Sequence, residues 1–295
     1  MTYQMALSNR TTAQVAIATS TLLLIGLIAL GGNLLVVISI YRNPILRKIT
    51  NYFVFSLAMT DIMYCLFGLS FTLVSLAEGR WIFGTVTCHF QSIWTQSLTY
   101  ISMYTISIMA INRFVRVCKS SKYNSMFNHT TSLVVICLVW VLSFGIVSIA
   151  SGIPNSLFYS KFDPSRAMCH NFYSREDTVI NISTIIFIVA NIVFQMFIII
   201  FCYFNVFKTI KKHTNSVAPS SNTGGLGTSP REIKITWTLF AVLLGYVSTW
   251  VPVLIVMLIS NISPHHLSRE TQMIVTYAGT ASSAINPIIY GITNP

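Results

Sequence analysis

Three charged side chains and two thiols stand out by where they fall. Asp61 is the only Asp, Glu, Lys or Arg between residues 49 and 77, and Arg113 closes an uncharged run that starts at Trp81. Glu232 stands just ahead of another such run, 235–268. A lone carboxylate among apolar residues holds a cation or shares its proton with neighbouring amides and hydroxyls, so it is functional by default. An arginine and a glutamate at two helix ends form an ion pair that a conformational change can break. The chemistry on offer is charge held and released. No nucleophile–base constellation occurs, and no CxxC pair or histidine spacing suits a metal, so an enzyme is not expected.

Those groups need elements to position them. The 295-residue chain is 54% hydrophobic and 8% charged, against roughly 25% charged in soluble proteins. Too few solvated groups exist to cover a globule, so lipid is the expected solvent. Residues 11–41, 81–112, 123–160, 178–207, 235–268 and 271–295 contain no Asp, Glu, Lys or Arg, and 49–77 contains only Asp61. Each run supplies the roughly 20 apolar residues that a membrane helix needs. Lipid forbids unpaired backbone groups, and the runs are too long for barrel strands. The expected fold is all-α, one seven-transmembrane domain over 1–295. Its spans fall at about 13–41, 50–77, 85–118, 131–153, 179–210, 232–260 and 271–291. The first run is too long for a signal peptide and has no basic leader, so it is a retained span behind a tail of about a dozen residues.

Basic residues orient the bundle. With the N-terminus extracellular, the inner segments hold Arg42, Arg47, Lys48, Arg113, Arg116, Lys119, Lys122, Lys208, Lys211, Lys212, Arg231 and Lys234 against one acid, Glu232. The outer segments mix Arg10, Arg80, Lys161, Arg166, Arg175 and Arg269 with Glu78, Asp163, Glu176, Asp177 and Glu270. The net charge of +11 therefore lies on one face, as topology and anionic inner-leaflet lipid require, and nucleic acid is not the expected partner. The sequons at Asn9 and Asn261 fall outside and can be glycosylated. Asn128 falls inside, and Asn181 lies too near the fifth span to assign.

Cys65, Cys137 and Cys202 fall within spans as apolar packing residues, with Cys118 at the inner boundary. Cys88 and Cys169 both fall on the oxidising side, where a disulfide between them is expected. It would tether the outer loop 154–178 as a lid. The Ser-, Thr-, Gly- and Pro-rich segment 213–230 reads as a flexible cytoplasmic loop. Cys88 to Arg113 is 25 residues, roughly 37 Å of helix, which crosses the hydrocarbon core and places Arg113 at the cytoplasmic mouth. There snorkelling would limit its cost. The odd number of spans and the lack of a repeat between halves disfavour a transporter, and a channel would need charged lining beyond Asp61.

In order and spacing the chain resembles rhodopsin-like G-protein-coupled receptors. The similarity runs from "GGN" at 31–33 through "LAMTD" at 57–61, "WIFG" at 81–84, Cys88, "NRF" at 112–114, Trp140, Cys169, Tyr203, "TWVP" at 249–252 and "NPIIY" at 286–290. "YRNPILRK", "FDPSRAMC", "IIIFCY" and "IYGITN" are similar to phrases of melatonin receptors and their orphan relatives. That group uses an Asn near the outer end of span four and a Gln after the loop Cys. Here Ala150 and Tyr173 stand there, so the resemblance does not carry melatonin over as the ligand. It implies a multi-pass plasma-membrane receptor with a heterotrimeric G protein as partner, of the inhibitory class. The short amphipathic helix expected after span seven does not follow "GITNP", so a longer transcript is expected.

Carried over residue by residue, the resemblance gives Asn112, Arg113 and Phe114 to G-protein coupling, with Glu232 as the resting partner of Arg113. Tyr203 and Tyr290 would rearrange on activation. Trp250 would lie beneath the ligand, with Pro252 as the hinge of span six and Asn286 and Pro287 in span seven. Asp61, Ser102, Ser283 and Asn286 match a sodium site, although Leu98 and Ser282 replace two of its usual asparagines. The competing reading is a protonated Asp61 bonded to Asn33 and Asn286. Gln195 replaces the span-five proline, and Thr249 a usual cysteine.

Ligand contacts by resemblance are Gln91, Thr95, Gln96 and Thr99 in span three and Phe187 and Asn191 in span five. Spans six and seven add Val253, Leu254 and Met257, then Gln272, Thr276 and Thr280. None is charged. Amine receptors place an Asp where Thr95 stands, because a buried ammonium needs a counter-ion. Opsins need a lysine where Thr280 stands. A small neutral ligand is expected and no cofactor beyond sodium, with a short peptide or an opsin-related receptor without its lysine as alternatives.

Overall fold

The computed structural model describes residues 3–152, 158–173, 178–216, 230–262 and 267–293. Local sequence sets several helix ends. Helix α1, Tyr3–Ser8, is followed by α2, Thr12–Arg42, which opens on a capping box. The Thr11 hydroxyl accepts from Gln14 N at 3.2 Å, while Gln14 Oε1 accepts from Thr11 N at 2.9 Å, so two orphan donors are satisfied at once. The helix stops at Asn43 because Pro44 has no N–H to continue it, and Pro44–Leu46 makes a 3-10 turn. The second long helix is α3, Ile49–Tyr64, then a π-helical turn, Cys65–Leu69, then α4, Ser70–Glu78. Gly79 ends it with a left-handed φ of 71°, a conformation glycine adopts without steric cost.

The chain continues through α5, Gly84–Cys118, the short α6, Ser120–Met126, and α7, His129–Gly152. Strands β1, Phe158–Asp163, and β2, Met168–Tyr173, pair antiparallel, with Phe162 opposite Cys169. Helices α8, Thr178–Ser216, α9, Pro230–Ile262, and α10, Arg269–Thr293, complete a bundle of seven long helical runs. Three features differ from the sequence reading. The lid is a β-hairpin set on the helical bundle, where the sequence suggested only a tethered loop. Residues 3–8 form a helix instead of a plain tail, and α8 runs on through Ser216, where the sequence suggests a loop from 213; residues 217–229 lie outside the described residues.

Burial divides the bundle as a bilayer would. Leu133, Leu138, Val141, Leu142, Ile146 and Ile149 of α7 are all exposed, an apolar face too large for water. By length and composition, α2, α3–α4, α7, α8 and α9 can cross a membrane. Helices α5 and α10 are long enough but more polar, for a positional reason. They carry Gln91, Thr95, Ser107, Asn112 and Arg113, and Gln272, Thr276, Thr280 and Asn286, all buried. These two helices face their neighbours, and the polar groups that lipid would reject meet partners inside. One apolar cluster gathers Phe53, Leu57, Met109, Ile199, Tyr203 and Leu243 toward the Arg113 end. A second gathers Leu7, Leu22, Leu69, Leu76, Ala167 and Met273 toward the hairpin end.

Candidate functional site

Between the hairpin and mid-bundle lies a cavity of roughly 530 Å³. Its roof is Asp163, Ser165, Arg166, Met168, His170 and Asn171 of the hairpin, with Tyr3 of α1. Thr95, Gln96, Thr99, Val253, Met257, Gln272 and Thr276 line its walls, as expected for ligand contacts. Trp250 lies lower, its ring 5.7 Å from Tyr246, and Asp61, Ser102, Ser283 and Asn286 line the far end.

Three expected contacts do not line it. Gln91 is fully buried, and its amide is spent elsewhere. Its Nε2 donates to Gly68 O at 2.9 Å and Thr72 Oγ1 at 3.0 Å, and its Oε1 accepts from Cys169 N at 2.8 Å. Gly68 lies in the π-helical turn, so Gln91 ties α5, the second long helix and the lid together. Thr280 donates to Thr276 O at 2.8 Å and shares a 3.0 Å hydrogen bond with Tyr64. Leu254 is half-buried outside the lining. The side chains of Phe187, Asn191, Glu232 and Asn261 lie outside the described residues, so the Arg113–Glu232 pair does too.

The hairpin adds charged residues to the cavity lining beside the uncharged contacts named from the sequence. Its register folds loop residues onto the bundle mouth, and span-based reasoning had no means to place them. Asp163 Oδ1 accepts from Ser165 N at 2.8 Å and from its hydroxyl at 2.6 Å, while Oδ2 lies 2.8 Å from His170 Nε2 and 3.6 Å from Arg166 Nε. The Cys88–Cys169 disulfide fixes the hairpin to α5, with Cα atoms 5.3 Å apart. Thr276 donates to Arg166 O at 2.8 Å and holds the turn on α10.

Burial alone would raise the Asp163 pKa, but the hydrogen bond and charge of His170, with Arg166 and Ser165, hold it well below the usual carboxylate range. A depressed carboxylate adds stability that is complete above its unfolded value near 4 and is lost as pH falls through its folded value. The lid is therefore expected to loosen as pH falls below about 4. Hydrogen exchange across 158–173 as a function of pH measures this, and Asp163→Asn should flatten the acid limb.

At the floor, Ser283 Oγ donates to Asp61 Oδ1 at 2.7 Å and Asn286 Nδ2 to Oδ2 at 3.0 Å. Asn33 does not reach Asp61, because its amide donates to Ala29 O at 2.8 Å and Ser283 O at 2.9 Å. A backbone carbonyl that α10 leaves open takes the place of the expected carboxylate. Close approach of α2 and α10 permits this, since a Cβ on Gly32 would stand 2.6 Å from Pro287 Cγ.

At the opposite end Arg113 is buried, 3% exposed, and does not snorkel. Its Nη2 donates to Thr50 Oγ1 at 3.0 Å, and the same hydroxyl donates to Asn112 Oδ1 at 3.2 Å. Asn112 Nδ2 donates to Tyr123 Oη at 3.3 Å. The Tyr123 ring stacks on Phe127 at 5.7 Å and lies 4.6 Å from the Arg116 guanidinium. Thr50 and Tyr123 were not singled out in the sequence. The available signal was Asn112 itself, an amide that cannot neutralise Arg113 and must hydrogen-bond instead.

Of the other expected switch residues, Phe114 packs on Phe201 at 5.8 Å and Tyr203 on Phe240 at 5.6 Å. The Tyr290 hydroxyl is buried with no hydrogen-bond partner among the described residues. Pro252 and Pro287 lie inside their helices, where each removes a backbone bond and permits a bend. Gln195 accepts a hydrogen bond from the buried Ser107 hydroxyl, which links α8 to α5. Asn9 is exposed between α1 and α2.

Seven membrane-length helices, a disulfide-tethered lid and a cavity reaching the bundle centre are the architecture of a transmembrane receptor. The chain belongs to the rhodopsin family of seven-transmembrane receptors, since the family model described as "7 transmembrane receptor (rhodopsin family)" matches residues 32–290. It is 29% identical over 267 residues to melatonin receptor type 1A of Phodopus sungorus, across 89% of this chain and 72% of that protein. It is 25% identical over 292 residues to melatonin receptor type 1B-B of Danio rerio, across 97% of this chain and 81% of that protein. Among solved structures, squid rhodopsin superposes with a TM-score of 0.82 at 20% identity, covering 97% of this chain and 83% of that one, and so shares the fold.

Proposed function

We propose that this protein is a plasma-membrane receptor whose hairpin end faces outward, takes a small neutral ligand into the cavity and activates an inhibitory-class heterotrimeric G protein at the Arg113 end. The observation that carries the reading is the cavity itself, which joins the lid to Trp250 and Asp61 in one continuous space. Roughly 530 Å³ falls in the range of small-molecule sites. Asp163 lies within 3.6 Å of Arg166, so the charges in the roof offset one another and no ionic ligand is required. The curated relatives are melatonin receptors. Ala150 and Tyr173 stand where that group has its ligand-binding Asn and Gln, so this ligand is proposed as a different neutral molecule.

Ligand binding shifts the bundle toward a form open at the Arg113 end, driven by the difference in affinity between the two states. In the resting form the Thr50–Asn112–Tyr123 chain holds Arg113 inward. Glu232 is its proposed ionic partner. Sodium is proposed at Asp61, with Ser102, Ser283 and Asn286 as neighbours that supply oxygen ligands once the Ser283 hydroxyl and the Asn286 amide rotate. Glycosylation is proposed at Asn9 and Asn261.

The test is nucleotide exchange on G proteins in membranes, driven by an agonist from a library screen. Arg113→Ala is expected to lower agonist-driven exchange more than tenfold at equal surface expression, the scale of about 1.4 kcal/mol or more of coupling. Unchanged exchange would remove the assigned role of Arg113.

A further inference from the structure

Two covers lie over the cavity, and they are fastened differently. The hairpin is bonded covalently to α5 through Cys88–Cys169, tied again by Gln91 to Cys169 N at 2.8 Å, and held on α10 by Thr276. The second cover is α1. Among the described residues, Tyr3 is the one lining residue that belongs to neither the hairpin nor a long helical run.

Helix α1 bridges two elements of the bundle. Tyr3 Oη donates to Leu267 O at 2.8 Å, just ahead of α10, and Gln4 Nε2 donates to Gly79 O at 3.1 Å, at the end of α4. Leu7, 1% exposed, packs in one cluster with Leu76 of α4, Ala167 of the hairpin turn and Met273 of α10. Gly79 lets α1 lie close, since a Cβ there would stand 3.3 Å from Leu7 O. Arg10 Nε donates to Leu7 O at 2.8 Å and its Nη2 to Leu76 O, which holds the end of α1 nearest α2 against α4.

All of these fastenings are noncovalent. Six residues make fewer than two helical turns, too few to be stable alone, so α1 keeps its shape only while docked. Leu7 is its one buried side chain. The hydrogen bonds from Tyr3, Gln4 and Arg10 all end on part-buried backbone carbonyls, where water can replace each donor at little net cost. Lids that admit ligands are drawn from the least stable elements of a structure. By that measure α1 moves before the hairpin does.

We propose that α1 is a releasable strap over the ligand site, with Leu7 as its anchor and Tyr3 as its latch. Ligand enters and leaves when Leu7 undocks and α1 swings out about residues 9–11, while the hairpin stays in place. The capping box at Thr11 and Gln14 fixes the far side of that hinge to α2. The inference deepens the proposed ligand site and rests on that reading only in calling the occupant a ligand.

The experiment uses the full receptor in lipid nanodiscs and needs neither a ligand nor a G protein, so its outcome is independent of the proposed signalling. Thr99→Cys puts a thiol in the cavity wall. The probe is a charged, water-soluble methanethiosulfonate, followed by mass spectrometry of the peptide that carries position 99. On this parent, Leu7→Ser and removal of residues 1–8 are each expected to speed labelling by about tenfold or more, the scale set by one buried leucine. Tyr3→Phe, which loses only the bond to Leu267 O, should speed it less. Hydrogen exchange across 158–173 should match the parent, because the hairpin keeps its own fastenings. If removal of residues 1–8 prevents folding, Leu7→Ser and Tyr3→Phe still read the effect. Equal labelling rates in the parent and its variants overturn the proposal. So does faster labelling accompanied by faster exchange across 158–173, since the hairpin would then be the moving cover.

Discussion

Replacing Gln91 by leucine is expected to lower the unfolding temperature of the purified receptor by about 8 °C, the equivalent of about 3–4 kcal/mol. The estimate follows from what the amide does. Three hydrogen bonds are lost, and Cys169 N–H is left buried with no acceptor in a site that is fully shielded. Gly68 O keeps a second donor, the Thr72 hydroxyl at 3.2 Å, so the carbonyl end suffers less. Gln91→Glu retains the acceptor for Cys169 N and should fall between the two. Thermal unfolding in nanodiscs, read beside ligand affinity, separates this role from the one the sequence suggested. If Gln91 were a ligand contact alone, the leucine variant would lose affinity and keep its unfolding temperature.

Removal of the disulfide is expected to have an effect nearly as large. Cys88 and Cys169 are separated by 81 positions, and closing a loop of that length is worth about 4.5 kcal/mol in the chain-entropy account. In a bilayer the helices persist when the bundle loosens, so the measured loss for Cys88→Ser with Cys169→Ser should be smaller, about 2–3 kcal/mol. The two perturbations share one target, because Gln91 and the disulfide both hold the backbone at Cys169. Their combined loss should therefore fall short of the sum by about 1 kcal/mol or more. Full additivity in a double-mutant cycle would show that the lid is held by two independent fastenings.

The lid and the opposite end show which parts of the site the sequence exposed. Asp61 and Arg113 were legible because a charge in a long uncharged run has few explanations in lipid. Thr50 and Tyr123 were not, although they hold Asn112 and Arg113. A threonine at the start of one helix and a tyrosine in a short connecting helix have many ordinary uses. Only packing brings them within 3.0–3.3 Å of the same two side chains. Gln91 shows the converse. Its place in the family pattern pointed to ligand, while Gly68 in the π-helical turn, Thr72 in α4 and Cys169 in the β-hairpin, a grouping not visible in hydropathy, take up both its donors and its carbonyl.

The sequence alone determined that this chain lives in lipid, its seven long helical runs and which two cysteines meet. Each of these follows from bulk solvation, run length and charge bias, which are additive along a chain. The tertiary structure decided the rest: the charged roof of Asp163, Arg166 and His170, the anchoring of the N-terminal helix through Tyr3 and Gln4, and the Gln91 tie between α5 and the lid. Those are contacts between segments far apart in sequence, fixed by strand register, turn geometry and the close packing of small residues. Such terms depend on relative position in space, and a linear pattern of residue types does not encode them locally.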